Sequence, residues 1–251
     1  MVRLAAVALI CSGFALCQDL QLAIPPVKTT VDIGKQPVTI TATGLVQENR
    51  NGFKLNLSAN LSDLQLHTGD LLKEQLNRSD ACGERLTVER ATLVPQAPSA
   101  MLTAWVHYER WACVKALGRK MTKRLVAGNG TVPVKLTPGV ENGNQITLTP
   151  EVGKIEADGS LGEVLQSPQV ADKIRDKIRD SILHALQKGT SLEAALPPAA
   201  QSVATIRSTQ FADGGSGALI LEIAGEVHVR PQDAQPFLDQ LKHHSSATTT
   251  N

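Results

Sequence analysis

Trp105, His107, Glu109 and Trp111 recur at every second position of one stretch, the spacing that puts them on a single face of a β-strand. An imidazole two residues from a carboxylate could serve as an acid/base pair, and two indoles beside it could form a platform for a sugar ring. The same pattern fits a tryptophan pair packed under a neighbouring loop or against a disulfide. Nothing else in the chain has the form of a reaction centre: there is no GxSxG elbow, HExxH pair, Walker loop or Rossmann glycine pattern, and the carboxylates show no paired arrangement. The expectation is a protein that binds rather than catalyses, with no cofactor and no metal. Asp213-Gly214-Gly215-Ser216-Gly217 is glycine-rich, but it precedes a strand pattern and reads as a tight turn. His243 and His244 lie in a Ser/Thr-rich tail, and two histidines alone do not define a metal site. Asn56, Asn60, Asn77 and Asn129 match glycosylation sequons, which matter only in a eukaryotic source.

A second cluster carries charge. Lys115, Arg119, Lys120, Lys123 and Arg124 are interleaved with Leu117, Met121 and Leu125, and no acid stands between Val114 and Val126. Read at helical spacing, this is a basic amphipathic segment of the kind that lies on an anionic membrane or lipopolysaccharide headgroup. Gly118 weakens the helix, and a solvated loop between two strands accounts for the same residues. The net charge of +1 excludes a globally basic nucleic-acid binder, so no nucleic-acid partner is expected.

The amino terminus bears on the compartment. Arg3, the apolar run Leu4 to Ile10 and the small residues before Gln18 follow the layout of a secretory signal peptide over residues 1–17. Lipid anchoring at Cys17 is a weaker reading, because Phe14, Ala15 and Leu16 make a poor lipobox. The expectation is a secreted or periplasmic protein with one domain over residues 18–242 and a disordered tail over 243–251. Cleavage would leave Cys82 and Cys113 in the body of the chain, and in an oxidising compartment two such cysteines most simply pair.

The elements that must position these groups are mostly strands. Phe53, Leu55, Leu57, Ala59 and Leu61 alternate with polar residues, as do Val38, Ile40 and Ala42 upstream. Arg85–Val94 and Met101–Cys113, joined by Pro95-Gln96-Ala97-Pro98, predict one hairpin. Val132 to Leu136 and Ile146 to Val152, around Glu141-Asn142-Gly143-Asn144, predict another. The apolar phase then slips at Gly153, as a β-bulge would produce. Between about Leu161 and Lys188, Ile174, Ile178, Ile182 and Leu186 recur every four residues among Asp, Lys and Arg, predicting a long amphipathic helix with Ser160 as its cap, Pro168 dividing off a first turn, and Gly189 as its stop. Ala218–Arg230 reads as a half-buried strand with Leu219, Leu221 and Ile223 inward.

This order of antiparallel strands, "LGEVLQSPQVADKIRDKIRDSILHALQKGTSLEAALPP" and "ATIRSTQFADGGSGALILEIAGEV" resembles a module of the tubular lipid-binding superfamily, which includes bactericidal/permeability-increasing protein. The resemblance is one of element order over about residues 145–229, and the short chain has room for one module where several relatives carry two. It implies an α+β fold in which a strongly twisted antiparallel sheet wraps one long amphipathic helix, with a short C-terminal helix. It also implies an apolar groove that holds acyl chains. The inward stripes then supply the groove candidates Ile174, Ile178, Ile182, Leu186, Leu219, Leu221 and Ile223. Aromatics make up only 3% of the chain, so such a groove would have aliphatic walls, although an ordinary aliphatic core fits the same composition. The competing reading is an envelope interaction protein with a filled core.

Overall fold

The computed structural model describes residues 21–33, 35–49, 52–79, 82–116, 119–143, 145–187 and 204–228. The signal peptide, the tail, the stop at Gly189 and the expected C-terminal helix lie outside them.

The chain is β-rich and every strand pairing is antiparallel. One sheet has the order β1 (Gln21–Ile33), β2 (Gln36–Asn49), β3 (Gly52–Asn60), β11 (Leu219–Val227), β10 (Ala204–Asp213). The other has β4 (Arg78–Ser79), β5 (Gly83–Gln96), β6 (Ser99–Ala116), β7 (Arg119–Glu141), β8 (Gln145–Val152), and the two-residue β9 (Glu156–Ala157) also pairs with β7. The period-two alternations become these strands because each must bury one face. In β3, Phe53, Leu55 and Ala59 are buried while Lys54, Asn56 and Asn60 stay exposed. The β11 strand repeats this with Leu219, Leu221, Ile223 and Val227 buried. Both predicted hairpins form: Gln96 pairs with Ser99 across the Ala97–Pro98 turn, and Glu141 pairs with Gln145 across the second. The expected bulge is present too. Val134 pairs with Val152, which would align Thr131 with Ile155, yet Thr131 pairs with Glu156, so one residue is extra.

The helices depart from expectation. The long helix expected over Leu161–Lys188 is not continuous: the division expected at Pro168 separates α2 (Gly159–Leu165) from α3 (Pro168–Gln187) at Gln166 and Ser167. The break falls before Pro168, where the residue preceding a proline is steered out of helical geometry. Ser160 does not cap: its hydroxyl accepts from the Ala127 N–H (2.9 Å) and donates to the Ala127 carbonyl (3.1 Å), tying α2 to β7. Gly128 makes that approach possible, since a Cβ there would sit 2.2 Å from the Asp158 carbonyl oxygen. A further helix, α1 (Ser62–Leu76), was not anticipated by periodicity. Gly69 and Thr68 interrupt its pattern, and Thr68 is buried with its hydroxyl donating to the Leu64 carbonyl at 2.7 Å.

One core joins the two sheets, with Ala59, Leu219, Leu221 and Ile223 from the first and Leu102, Val106, Val132 and Val134 from the second in a single buried cluster. The α1 helix packs on β2 and β5 and bridges the layers through Gln65. That amide donates to the carbonyls of Leu93 (2.9 Å) and Gly217 (3.0 Å) and accepts from the Leu219 N–H (2.6 Å). One side chain thereby satisfies backbone groups on β5, the β10–β11 turn and β11. The variant Gln65→Leu should orphan the N–H of the fully buried Leu219 and lower unfolding free energy by about 1–3 kcal/mol, whereas Lys73→Ala, which loses only an exposed ion pair with Asp70, should change it by under about 0.5 kcal/mol. Urea denaturation of the two variants measures both, and equal losses would contradict the bridging role.

Candidate functional site

The inward face of β6 is Leu102, Ala104, Val106 and Tyr108. Together with Leu86 of β5 and Val132 and Val134 of β7 it forms one wall of a cavity of about 100 Å³, closed by Leu72 and Leu76 of α1 and by Ile174, Ile178 and Ile182 of α3. Glu84 and Tyr108 are its polar members. From Leu102 to Tyr108 the cleft runs roughly 20 Å at the usual strand rise. Three of the groove residues expected from the sequence are therefore brought together. Ile182 is the most deeply placed, 4% exposed, while Ile174 and Ile178 are half-buried. Leu186 has its side chain outside the described residues. Leu219, Leu221 and Ile223 do not line this cavity, although they share one buried cluster with Ile182 and the cavity wall; α3 packs on β8, and its stripe borders the cavity opposite β5–β7. Periodicity could give the inward face of β11 but not which inward face the helix would cover.

The basic segment is not a helix. It forms the distal part of the β6–β7 hairpin, where Ala112 pairs with Lys123, Val114 with Met121, Lys115 with Lys120, and Ala116 with Arg119. The β5 strand reaches Gly83, opposite Trp111, and beyond that point the hairpin is a two-stranded ribbon among the described residues. Pairing with a neighbour satisfies the backbone without a helix, and this overrides the helical spacing of the apolar residues. Met121 (61% exposed), Val114 (57%) and Leu125 (52%) are the exposed large hydrophobic residues it carries among the described residues. Lys123 is exposed, and the side chains of Lys115, Arg119 and Lys120 lie outside the described residues. Arg124 is committed elsewhere, its guanidinium donating to Glu109 at 3.2 Å.

The outward face of β6 carries the Trp105, His107, Glu109 and Trp111 stripe. Glu109 accepts from the Trp111 indole N–H at 2.9 Å and from Arg124, with His107 Nε2 at 3.7 Å and Arg85 at 3.9 Å. The Trp111 hydrogen bond, followed by those from Arg124 and His107, holds the Glu109 carboxyl below its ordinary 4.5. A carboxyl kept ionised and surrounded by donors is a poor general acid. Each indole has one face stacked by a cation, the Arg90 guanidinium 3.5 Å from the Trp105 ring centroid and that of Arg85 4.6 Å from the Trp111 centroid. His107 shares a 2.8 Å hydrogen bond with Asn129, whose backbone N–H and side-chain amide also donate to Asp158. These contacts tie Glu109, Trp111, His107, Asn129 and Asp158 together beside a surface hollow lined by Trp105, Asn129 and Asp158, and the ionised Glu109 does not suit the acid/base pair.

Cys82 and Cys113 are bonded, with Cα atoms 5.6 Å apart. The bond ties the entrance of β5 to β6 two residues beyond Trp111, at the root of the ribbon, and it fits an oxidising compartment. Among the described residues no helix is long and apolar enough to cross a membrane, and no group of His, Cys, Asp and Glu is arranged to hold a metal ion. Searches for similar proteins match this chain to no family model, no curated protein and no solved structure.

Replacing both Cys82 and Cys113 by Ser should lower stability by about 3–4 kcal/mol on the chain-entropy argument for a 31-residue separation. Denaturant curves would test this, and peptide mapping that finds both wild-type thiols free after expression in an oxidising medium would contradict the bond itself. Glu109 adds a pH dependence. Folding depresses its pKa, so its contribution is fully present above 4.5 and is lost as pH falls below that value through the folded pKa. The melting temperature of Glu109→Gln should therefore fall short of wild type at neutral pH and converge with it at acid pH.

Proposed function

We propose that the protein binds lipid by burying an acyl chain in the cleft between α3 and the inward face of β5–β7, as the resemblance to the tubular lipid-binding superfamily implies. In this reading the second sheet and α3 form the sheet-and-helix wrap of that architecture. The observation that carries the reading is the lining. Apart from Glu84 and Tyr108, every residue around the cavity is Leu, Ile, Val or Ala, and the cleft's length of roughly 20 Å is comparable with one leaflet of a bilayer's ~30 Å hydrocarbon core. Each buried methylene would contribute about 0.8 kcal/mol. At about 100 Å³ the cavity is smaller than the ~300–1,000 Å³ of typical ligand sites, so binding requires α3 to move away from the sheet. The α3 helix suits that movement: it is a surface helix whose exposed side carries the Asp172–Arg175 and Asp176–Arg179 ion pairs, and those can travel with it. The basic ribbon, with Val114 and Met121 beside Lys123, would meet an anionic membrane surface from which lipid is taken.

The small cavity volume also favours a second reading, a non-enzymatic interaction protein of the cell envelope whose core is filled and whose working surface is the ribbon. Ile178→Trp separates the two. Ile178 borders the cavity and is half-buried, so in a lipid-binding protein the larger side chain should occupy the acyl site and at least halve the lipid extracted per mole, with melting temperature little changed. In a filled core it should overpack, costing about 1–3 kcal/mol, with no lipid in either form. Mass spectrometry of organic extracts and thermal melts of both proteins give the answer.

A further inference from the structure

The first sheet ends in an open edge. Among the described residues β1 pairs with β2 alone, so the backbone donors and acceptors along its other side meet no strand there. Pro25 and Pro26, where the β1–β2 register shifts, carry no N–H to offer a neighbouring strand, which confines the usable edge to residues 27–33. In that stretch Val27, Thr29, Val31 and Ile33 are half-buried on the inward side of the sheet, while Lys28, Thr30 and Asp32 are exposed on the outward side. Lys28 stands opposite Thr41 and Asp32 opposite Pro37, so β2 supplies neither with a counter-charge. Nor can the two meet each other, since four residues of strand set them roughly 14 Å apart. Among the described residues neither belongs to an ion pair.

A lysine on an open edge ordinarily discourages pairing, but this stretch is complementary to itself. We propose that the protein forms a two-fold dimer in which β1 pairs antiparallel with β1 of a second copy, centred on Thr30, so that the two first sheets become one. In that register Lys28 lies opposite the partner's Asp32 and Asp32 opposite the partner's Lys28, two unlike-charge pairs related by the axis. Thr30 meets the partner's Thr30 at the axis, Thr29 meets the partner's Val31, and Val27 meets the partner's Ile33, which keeps the apolar side chains of both copies on the inward face. Neighbouring registers fail. A centre at Lys28 or Asp32 sets like charges face to face, and a centre at Thr29 or Val31 runs one end of the stretch against the partner's Pro26 or beyond Ile33, where β1 ends. A single short strand pair is a small interface, so the dimer is a reversible one.

Sedimentation velocity of the full chain over a roughly hundredfold range of concentration should show a reversible equilibrium between monomer and dimer. Lys28→Glu and Asp32→Lys each turn both cross-strand pairs into like-charge pairs, and each alone should weaken association by roughly tenfold or more. Mixed in equal amounts, the two variants oppose unlike charges again and should associate with each other as wild type does with itself. Both substituted side chains are exposed, and melting temperatures measured at low concentration confirm that the monomers are folded. A second arm does not depend on charge. Thr30→Cys should cross-link into a disulfide dimer under mild oxidation, because facing residues of an antiparallel pair have Cα atoms about 4.5–5.5 Å apart, whereas Lys28→Cys, roughly 14 Å from its counterpart, should not. A wild type that stays monomeric, single variants that dimerise as wild type does, or a mixture that fails to associate would overturn the proposal. Cross-linking of Lys28→Cys as readily as Thr30→Cys would overturn the register.

Discussion

The register of β6 is the constraint on which the rest of the structure depends. The strand sits between β5 and β7, and its alternation sends Leu102, Ala104, Val106 and Tyr108 inward while Trp105, His107, Glu109 and Trp111 point outward. A slip of one residue would exchange these sets, exposing the cleft wall and burying a carboxylate with its attendant cations. Several separate devices hold the register. The Ala97–Pro98 turn sets it at one end, and the Phe211 N–H of β10 fastens that turn by donating to the Pro98 carbonyl at 2.9 Å. At the other end the Cys82–Cys113 bond joins β6 to the entrance of β5. Between them, Val88 pairs with Val106 and Arg90 with Trp105, so Glu89 is a bulge, and Asn77 at the end of α1 accepts from the Val88 N–H at 2.7 Å. Without that acceptor the bulge would leave the N–H of the buried Val88 orphaned.

The two faces of β6 divide the physical work. Outside, charges and indoles are matched nearly one to one: Glu109 with Trp111 and Arg124, Arg90 over Trp105, Asp158 with Asn129. Such a network orients side chains and stiffens the root of the ribbon, while its exposed ion pairs contribute little stability individually. Inside, the cavity wall is aliphatic apart from Glu84 and Tyr108. Dispersion and burial act along these aliphatic residues without fixing direction. The combination of a rigid outer network and a smooth inner face is consistent with a binding role located at α3.

Sequence patterning made most of the strands legible. Alternation in β3 and β11, the turn residues of both hairpins and the slip near Gly153 are local signals, and each appears in the fold at the expected place, since a strand reports its buried face through its own period. Helices were harder to read. The α1 helix carries Gly69 and a buried Thr68, so its amphipathic pattern is faint, and its place is secured by distant contacts such as Gln65 with Leu93 and Gly217. The basic segment failed in the opposite direction. Its helical spacing is real, but Arg119–Glu141 is a single long strand, and pairing with β6 satisfies its backbone where an isolated amphipathic helix would have no tertiary partner.

The amino-acid order by itself determined which residues could be inward: the Ile174, Ile178, Ile182 stripe, the Leu219, Leu221, Ile223 face, and the two cysteines available to pair. Only the tertiary structure decided which of these meet. It packed α3 on β8 with its stripe across a cavity from β5–β7, joined Ile182 to Leu219, Leu221 and Ile223 in one core shared by both sheets, and set Glu84 and Tyr108 on the wall of that cavity. The reason is that amphipathic periodicity is a property of one element, whereas the choice among apolar surfaces is made by the topology, through crossovers such as the one that brings β11 beside β3. Hydrophobic burial is non-directional and names no partner. The same holds for the outer face, where the bulge at Glu89 within the β5–β6 hairpin sets Arg90 over Trp105 and Arg85 beside Trp111.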